Sequence, residues 1–211
     1  MVKRIKKTTK NHPTRERKKI IIVGTEGDNK TEYQYLRSLE KTQNAYHFIF
    51  APGNETDPVK IVRNTVKKAE KEEISTKHGD LAISIFDLDL DHSKKEQLRQ
   101  AKILSGKHNI ELITSNPSFE VWYLEHFGYT SKPFSSNAEL ITELEKYIPG
   151  YQKNTCNFDV LYPLTDEAVE NCERLDAHHK ANGFEDMFEF SNPHTDVYRI
   201  AKLLTEKKNA K

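Results

Sequence analysis

Apolar and polar positions along the chain alternate between two kinds of segment. Short runs rich in Val, Ile, Leu and Phe, such as Leu81 to Phe86, are typical of strands that are buried in a parallel sheet. Longer segments with apolar residues three and four positions apart predict amphipathic helices. Four strand–helix units follow one another, with strands over 19–23, 46–50, 81–86 and 110–114 and helices over about 31–40, 58–73, 94–107 and from Pro117 onward.

This alternation predicts an α/β fold with a mostly parallel, Rossmann-like sheet flanked by helices. The pattern changes after Gly128, where helices near 137–147, 166–180 and 193–207 predict a helical C-terminal extension. We therefore expect three parts: a flexible basic N-terminal arm, an α/β core and a mainly helical part packed on that core. Their expected bounds are 1–19, 20–128 and 129–211.

The composition is that of a polar globular protein. Of the 211 residues, 36% are hydrophobic and 31% are charged. No apolar run approaches the roughly 18 residues that a membrane span needs, and no apolar leader follows the basic N-terminus. Two cysteines, Cys156 and Cys172, fit a reducing compartment and match no metal-ligand spacing. We therefore expect a cytoplasmic protein with no membrane partner.

The net charge of +1 conceals an uneven distribution of charge. Residues 1–19 contain nine lysines and arginines and one acid, so the remainder of the chain is acidic. A basic arm of this kind binds the phosphate backbone of nucleic acids, although a solvated tail has the same composition. The candidate nucleic-acid contacts are two lysines at the end of the arm and two beside the aspartates discussed next: Lys18, Lys19, Lys94 and Lys95.

Carboxylates collect where the predicted strands end. Asp87, Asp89 and Asp91 follow the third strand at two-residue spacing, which places them on one face as long as the chain stays extended. Glu26 follows the first strand, and ligands of open α/β sheets bind beyond the carboxyl ends of the strands. Clustered like charges repel one another, and a divalent cation removes that cost. Oxygen ligands select Mg²⁺, Mn²⁺ or Ca²⁺, so the sequence predicts a divalent-cation site here.

Three further residues are candidates for the same site, and each has a structural alternative. Glu32 lies in the first turn of a helix, where an acid also interacts favourably with the helix dipole. Asn116 is placed to cap the helix that begins at Pro117, and the N-terminus of that helix could receive a phosphate oxygen. Glu120, one turn further on, either reaches the metal or faces solvent. Asp91 likewise either binds metal or only caps the following helix.

Four segments carry a resemblance to a known family. They are Ile21 to Gly27 with Thr31-Glu32 and Tyr35, Phe86 to Asp89, Ser115 to Trp122 with His126-Phe127, and Asn192 to Thr195. Together they resemble the RloB-like family, which is related to abortive-infection proteins encoded beside an ABC/AAA-type ATPase in bacterial phage-defence loci. The resemblance spans residues 20–200, and the Ser-Asn-Pro-x-Phe-Glu-x-Trp segment is its most specific part.

The resemblance implies a Toprim-like fold and a metal-dependent activity. Toprim domains place one Glu after the first strand and an Asp-x-Asp pair after the third, and they use Mg²⁺ to make or break phosphodiester bonds. By position, Glu26, Asp87 and Asp89 match those catalytic and metal-binding acids, with Asp91 as an additional metal ligand. The implied protein is a nuclease that requires Mg²⁺ or Mn²⁺, acts on DNA or RNA in phage defence and works with an ATPase.

Two other interpretations stay open at this stage. One is a catalytically silent module that binds nucleic acid or regulates the ATPase complex. The other is a phosphatase of the haloacid dehalogenase type, in which an Asp-x-Asp motif ends the first strand rather than the third. The sequence contains no Gly-x-x-x-x-Gly-Lys-Ser/Thr motif, so a partner would have to supply any ATP hydrolysis.

Overall fold

Five strands form one sheet in the order β2-β1-β3-β4-β5. The first four strands run parallel to one another, and β5 runs antiparallel to β4. The computed structural model describes residues 17–53, 56–90, 94–184 and 191–205. It confirms the predicted α/β class with a mostly parallel sheet. The strands are β1 (Lys19–Thr25), β2 (Tyr46–Pro52), β3 (Leu81–Asp87), β4 (Glu111–Asn116) and β5 (His194–Thr195).

Helices flank the sheet on both faces and continue to the C-terminal end of the described chain. The α2 helix begins as the sequence predicts, because Asp57 accepts a hydrogen bond of 2.8 Å from the backbone N–H of Val59 and Pro58 occupies the first helical position. The helices are α1 (Thr31–Lys41), α2 (Pro58–Lys71), α3 (Lys95–His108), α4 (Glu120–Glu125), α5 (Asn137–Leu144), α6 (Phe158–Leu161), α7 (Thr165–Ala181) and α8 (Val197–Thr205), with 3-10 turns at Thr76–His78 and Tyr162–Leu164.

The sheet separates two hydrophobic clusters. Alternate residues of each strand face opposite sides, so Ile22 belongs to one cluster while Ile21 and Val23 belong to the other. Helices α2 and α3 cover the Ile22 side, and α1 and α4–α8 contribute to the other side. The helical C-terminal part therefore shares its core with α1 and the sheet, as the packing of Tyr35 and Trp122 in one cluster illustrates.

Gly24 allows β1 to approach α2 closely. A Cβ atom at this position would lie 1.9 Å from Oγ1 of Thr65, which is far inside van der Waals contact. The Thr65 hydroxyl cannot move away freely, because it bonds to the carbonyl of Ile61 at 3.0 Å and to the hydroxyl of Ser84 at 2.8 Å. The absence of a side chain at Gly24 thus allows the close contact between β1 and α2, two residues before Glu26.

Two helices begin later than the sequence predicts. The predicted helix at Pro117 is wrong: Asn116 ends β4, the Asn116–Pro117 peptide bond is cis, and α4 begins only at Glu120. The α4 helix therefore offers no N-terminus at Pro117 to a phosphate. The predicted helix over 193–207 is wrong at its start, because His194 and Thr195 pair with β4 as β5 and α8 begins at Val197.

Side chains complete the junction between β4 and β5. One carboxylate oxygen of Asp196 accepts hydrogen bonds from the backbone N–H and the hydroxyl of Thr114, at 3.2 and 3.0 Å. His194 Nε2 lies 3.2 Å from the same oxygen. Burial lowers the pKa of His194, but the hydrogen bond and charge of Asp196 outweigh burial, so this pKa is raised above its ordinary value. The contact between His194 and Asp196 therefore favours the protonated histidine and helps to hold β5 against the sheet.

The N-terminal arm lies almost entirely outside the described residues. Within the described part, Arg17 forms an ion pair of 3.1 Å with Asp80, whose carboxylate also accepts from the backbone N–H groups of Ile20 and Ser75. These contacts lie where β1 and β3 begin. The division of the chain into arm, core and helical part stays a prediction.

Candidate functional site

The sheet has a point at which the strand order reverses, between β1 and β3. The chain leaves β1 toward β2 on one side and leaves β3 toward β4 on the other, so the loops after β1 and β3 diverge and leave a crevice. Glu26 follows β1, and Asp87 is the last residue of β3. The expectation that these neighbouring strands bring the two acids to one edge of the sheet is therefore confirmed.

The chain after β3 does not stay extended, so the predicted row of three aspartates on one face is wrong. The strand ends at Asp87, and Asp89 adopts a left-handed conformation with a φ of 54°. Its backbone N–H donates to the carbonyl of Pro117 at 3.1 Å, which turns the loop toward the end of β4. Asp87 is half-buried, Asp89 is exposed, and Asp91 lies outside the described residues.

The carboxylates around the crevice perturb one another. The pKa of Asp87 is raised well above its ordinary value, first because burial disfavours the charged form and then because four other acids lie nearby. No hydrogen bond joins the Asp87 carboxylate to another residue in the described ranges. In order of their effect on the pKa of Asp87, the four neighbouring acids are Glu120, Glu32, Glu26 and Asp89.

Glu26 and Glu32 show the same behaviour. Burial raises the pKa of Glu26, with Lys30 opposing this shift and Asp89 adding to it. Burial, with smaller contributions from Glu26 and Glu120, raises the pKa of Glu32 to about 7. Glu32 does lie in the first turn of α1, as predicted, but its side chain is buried and faces the other acids rather than solvent. In all three acids burial is the largest cause of the raised pKa, and the proximity of other acids adds to it.

Glu120 does not face solvent, which was one of its two expected positions. Its residue is 1% exposed. Three hydroxyl groups donate to its carboxylate: Thr31 at 3.2 Å and Tyr151 at 2.9 Å to Oε1, and Ser118 at 2.7 Å to Oε2. The ammonium group of Lys153 lies 3.6 Å from Oε2. Glu120 is therefore held in one orientation, and among the neighbouring acids it has the largest effect on the pKa of Asp87.

Asn116 is a buried residue at the end of β4 rather than a helix cap. Its side-chain amide donates to the carbonyl of Ser191 at 2.8 Å, which ties β4 to the segment before β5. Its side-chain oxygen is buried and has no hydrogen-bond partner among the described residues. The structure gives Asn116 a role in holding the end of β4.

The four candidate lysines lie in two separate places. Lys94 is at the site, with its ammonium group 3.2 Å from the carboxylate of Asp89. Lys95 is the first residue of α3, next to it. Lys18 and Lys19 lie at the opposite end of β1 from Glu26, since Lys19 begins this seven-residue strand, which spans about 20 Å. That distance separates Lys18 and Lys19 from the acids.

The sequence did not predict that four further residues contact the site. Thr31 and Ser118 lie inside the segments that carry the family resemblance, so their positions were visible, but their bonds to Glu120 were not. Tyr151 and Lys153 come from a loop in the C-terminal part, where nothing in the sequence points toward the strand ends. The backbone N–H of Asn154 donates to Thr31 at 3.1 Å and fixes this loop against α1.

The site offers oxygen ligands, which hard divalent cations prefer. In residues 17–53, 56–90, 94–184 and 191–205, no group of three or more His, Cys, Asp or Glu side chains is arranged to hold a metal ion. If all were ionised, the five described carboxylates and the three lysines beside them would carry two excess negative charges, and the raised pKa values of Asp87 and Glu32 show that these acids hold protons more strongly instead. One divalent cation that displaced these protons would neutralise the excess charge. The donor chemistry and the charge of the crevice therefore fit such a cation, while a complete ligand set is not preassembled.

No helix among the described residues is both long and apolar enough to span a membrane. Comparison with curated proteins and with solved structures finds no match to the chain. A family model described as "RloB-like protein" matches residues 21–204, a range that includes β1, the crevice acids and α8. Because this match covers most of the chain, the protein belongs to the RloB-like protein family.

Proposed function

We propose that the protein is a metal-dependent phosphodiesterase that cleaves DNA or RNA. The observation that carries this proposal is the convergence of acids from the end of β1, from α1, β3 and α4 at the switch point of the sheet, where burial and then the charges of the other acids raise the pKa of Asp87. Negative charge that is concentrated in this way has a cost for the fold, and clusters of perturbed acids mark functional sites. A divalent cation would offset the negative charge that Lys30, Lys94 and Lys153 leave uncompensated when the acids ionise.

Asp87 and Asp89, with Glu26 across the crevice, would hold Mg²⁺ or Mn²⁺. When bound, the ion would supply an activated water and polarise a phosphate oxygen. Two described carboxylates suffice for this role, because Mg²⁺ in phosphoryl-transfer sites keeps several waters and is bound by one or two carboxylates plus the phosphates of the substrate. The absence of three preassembled ligands among the described residues is therefore compatible with magnesium.

The remaining acids have distinct roles in this proposal. Glu32 has a pKa of about 7 before a cation binds, and a cation on the neighbouring acids would lower this pKa, so Glu32 would then be able to accept a proton. Glu120 is fixed by Thr31, Tyr151 and Ser118, and it holds negative charge next to Asp87 rather than moving during the reaction. The family resemblance adds the biological setting: phage defence, with an ABC/AAA-type ATPase as partner.

Cleavage of labelled DNA and RNA in Mg²⁺ or Mn²⁺, with and without the neighbouring ATPase, tests this proposal. Wild type is expected to cleave at least one of the polynucleotides, while Asp87→Asn and Asp89→Asn fold but lose cleavage. Asp166→Asn removes an exposed acid from the first turn of α7 and serves as the matched control. Equal cleavage by wild type, Asp87→Asn and Asp89→Asn would refute the proposal.

A catalytically silent module that binds nucleic acid or regulates the ATPase is the second candidate. The lack of a complete metal-ligand set among the described residues favours it. This candidate predicts that Mg²⁺ raises the melting temperature of the wild type while no polynucleotide is cleaved under any condition. Melting and cleavage measured on the same preparation therefore separate the two functions.

A further inference from the structure

Three lysines stand around the crevice acids, and each comes from a different loop. Lys30 precedes α1, Lys94 precedes α3, and Lys153 belongs to the loop before α6. Each ammonium group faces one carboxylate of the cluster. The nitrogen–oxygen distances are 3.5 Å from Lys30 to Glu26, 3.2 Å from Lys94 to Asp89 and 3.6 Å from Lys153 to Glu120.

The lysines lie on the solvent side of the acids at two of the three pairs. The side chain of Lys30 is 40% exposed while that of Glu26 is 15% exposed. The side chain of Lys153 is 40% exposed while that of Glu120 is 2% exposed. Lys94 lowers the pKa of Glu26, so its charge is felt across the crevice as well as at Asp89. At Glu26 and Glu120, the lysine side chain is therefore more accessible to an entering ligand than the carboxylate that it pairs with.

We infer that Lys30, Lys94 and Lys153 form a clamp for the phosphates of a polynucleotide backbone. This inference rests on the proposed function for the identity of the site. Ammonium groups bind phosphate as point charges. A divalent cation on Glu26 and Asp89 would compete with Lys30 and Lys94 for these carboxylates, which leaves their ammonium groups available to phosphate oxygens. The half-exposed Lys153 stays beside Glu120 and adds a third positive charge. Cations on three separate loops suit a chain of phosphates better than a single phosphomonoester.

A purely compensating role for the lysines makes a different prediction. If these side chains only neutralise the acids, removing them increases the affinity for divalent cations and leaves polynucleotide binding unchanged. A clamp instead contributes to the salt dependence of polynucleotide binding, because each phosphate that is neutralised releases bound counterions. The dependence of affinity on salt concentration is therefore the measurement that distinguishes the two roles.

Fluorescence anisotropy of the full chain with a labelled single-stranded DNA of about 20 nucleotides provides this measurement. Ca²⁺ replaces Mg²⁺, so that binding is measured separately from cleavage. Single-strand binding loses about 0.7 in the slope of log K against log salt for each phosphate contact. We expect a slope reduced by about 0.7 in each single alanine variant and by about 2 in the triple variant. Labelled RNA of the same sequence serves as the second probe.

The controls keep the charge or remove it elsewhere. Arginine at the three positions retains the charge and is expected to retain the wild-type slope. Lys68→Ala removes a lysine that is also paired, at 2.9 Å from Glu72, near the end of α2. Lys68 lies in the last turn of α2, a helix that contributes none of the crevice acids. Lys68→Ala is expected to keep the wild-type slope.

Two results would overturn the clamp: a triple alanine variant with the wild-type slope, or a wild type that binds neither polynucleotide. The outcome is separable from that of the proposed function. Reduced slopes in the lysine variants without any cleavage by wild type would support the clamp and contradict the phosphodiesterase. Cleavage by wild type with unchanged slopes in the lysine variants would support the phosphodiesterase and contradict the clamp.

Discussion

Replacing Glu32 by Gln is expected to stabilise the metal-free protein in a pH-dependent manner. Glu32 is buried in the first turn of α1, and its burial, with the charges of Glu26 and Glu120, raises its pKa from 4.5 to about 7. Between these two values the folded protein binds more protons than the unfolded chain, so the free energy of unfolding falls as the pH rises. Gln has nearly the same shape as Glu and carries no charge, so the free energy of unfolding of the variant does not fall for this reason as the pH rises.

The expected magnitude follows from the size of the pKa shift. A shift of one pKa unit corresponds to about 1.4 kcal/mol, so ionised Glu32 lowers the free energy of unfolding by about 3 kcal/mol above neutral pH. For a chain of this length, that difference corresponds to a rise in melting temperature of about 6–12 °C in the variant. Well below pH 4.5 the side chain is protonated in both states, and this contribution disappears.

Urea unfolding in EDTA at about pH 4 and about pH 8 measures the effect, because a chelator keeps cations from compensating the charge. Glu167→Gln is the matched control, since Glu167 is an exposed acid in the first turn of α7. Like Glu32→Gln, the Glu167→Gln variant loses the favourable interaction of a carboxylate with the helix dipole. Because Glu167 is exposed, this variant does not also remove the cost of a buried charge. A stability change of equal size at both pH values in Glu32→Gln, or a loss of stability at the higher pH, would refute the reasoning.

Three further changes test other parts of the structure by urea unfolding. Gly24→Ala is expected to destabilise the fold by about 1–3 kcal/mol, because the new Cβ would overlap Thr65. Tyr151→Phe removes a donor to the Glu120 carboxylate and is expected to cost about 1–3 kcal/mol. His194 has a raised pKa, so its contribution to stability is present below pH 6.5 and is lost as the pH rises through that raised value. His194→Gln should therefore remove this pH dependence, as seen by comparing about pH 6 with about pH 9.

Control substitutions of the same residue type at exposed positions distinguish these contacts from an unspecific effect of the substitution on stability. Gly106→Ala adds a Cβ in α3 that meets nothing within 4 Å, so it is expected to stabilise the fold by about 0.5–1 kcal/mol. Tyr147→Phe alters an exposed side chain and should leave the stability unchanged. If Gly24→Ala changed the free energy of unfolding as Gly106→Ala does, the contact between Gly24 and Thr65 would not limit the size of this residue. If Tyr151→Phe changed it as Tyr147→Phe does, the hydrogen bond from Tyr151 to Glu120 would not stabilise the fold. If the stability of His194→Gln depended on pH as that of wild type does, the interaction assigned to His194 and Asp196 would be contradicted.

The sequence predicts the elements whose signals are local. The apolar run before Asp87 and the Asp57-Pro58 pair are sufficient to place β3 and the start of α2. Asn116 misleads, because it precedes a proline in a position that is typical of a helix cap, whereas its amide instead holds the segment before β5. β5 itself has two residues, and its pairing with β4 depends on the Asp196 side chain rather than on an apolar pattern.

The candidate site divides in the same way. The position of Glu26 beyond the carboxyl end of β1 follows from the general topology of α/β sheets. Its place beside Asp87 depends in addition on β1 and β3 being neighbours, which the sequence does not determine and the structure shows. The left-handed turn at Asp89 was not, because the two-residue spacing of the aspartates is also that of an extended strand. The contacts of Tyr151 and Lys153 with Glu120 join distant parts of the chain and have no local sequence signal.

Calorimetric titration of the full chain with Mg²⁺ and with Mn²⁺ tests the central claim most directly: that the crevice acids together bind a divalent cation. When the titration is repeated in buffers of different ionisation enthalpy, it also gives the number of protons that the protein releases on binding the cation. Wild type is expected to take up the cation and release protons near neutral pH, because acids with raised pKa values must ionise to bind it. Asp87→Asn is expected to lose this uptake. Wild type that binds neither cation, or Asp87→Asn that binds as well as wild type, would contradict the account.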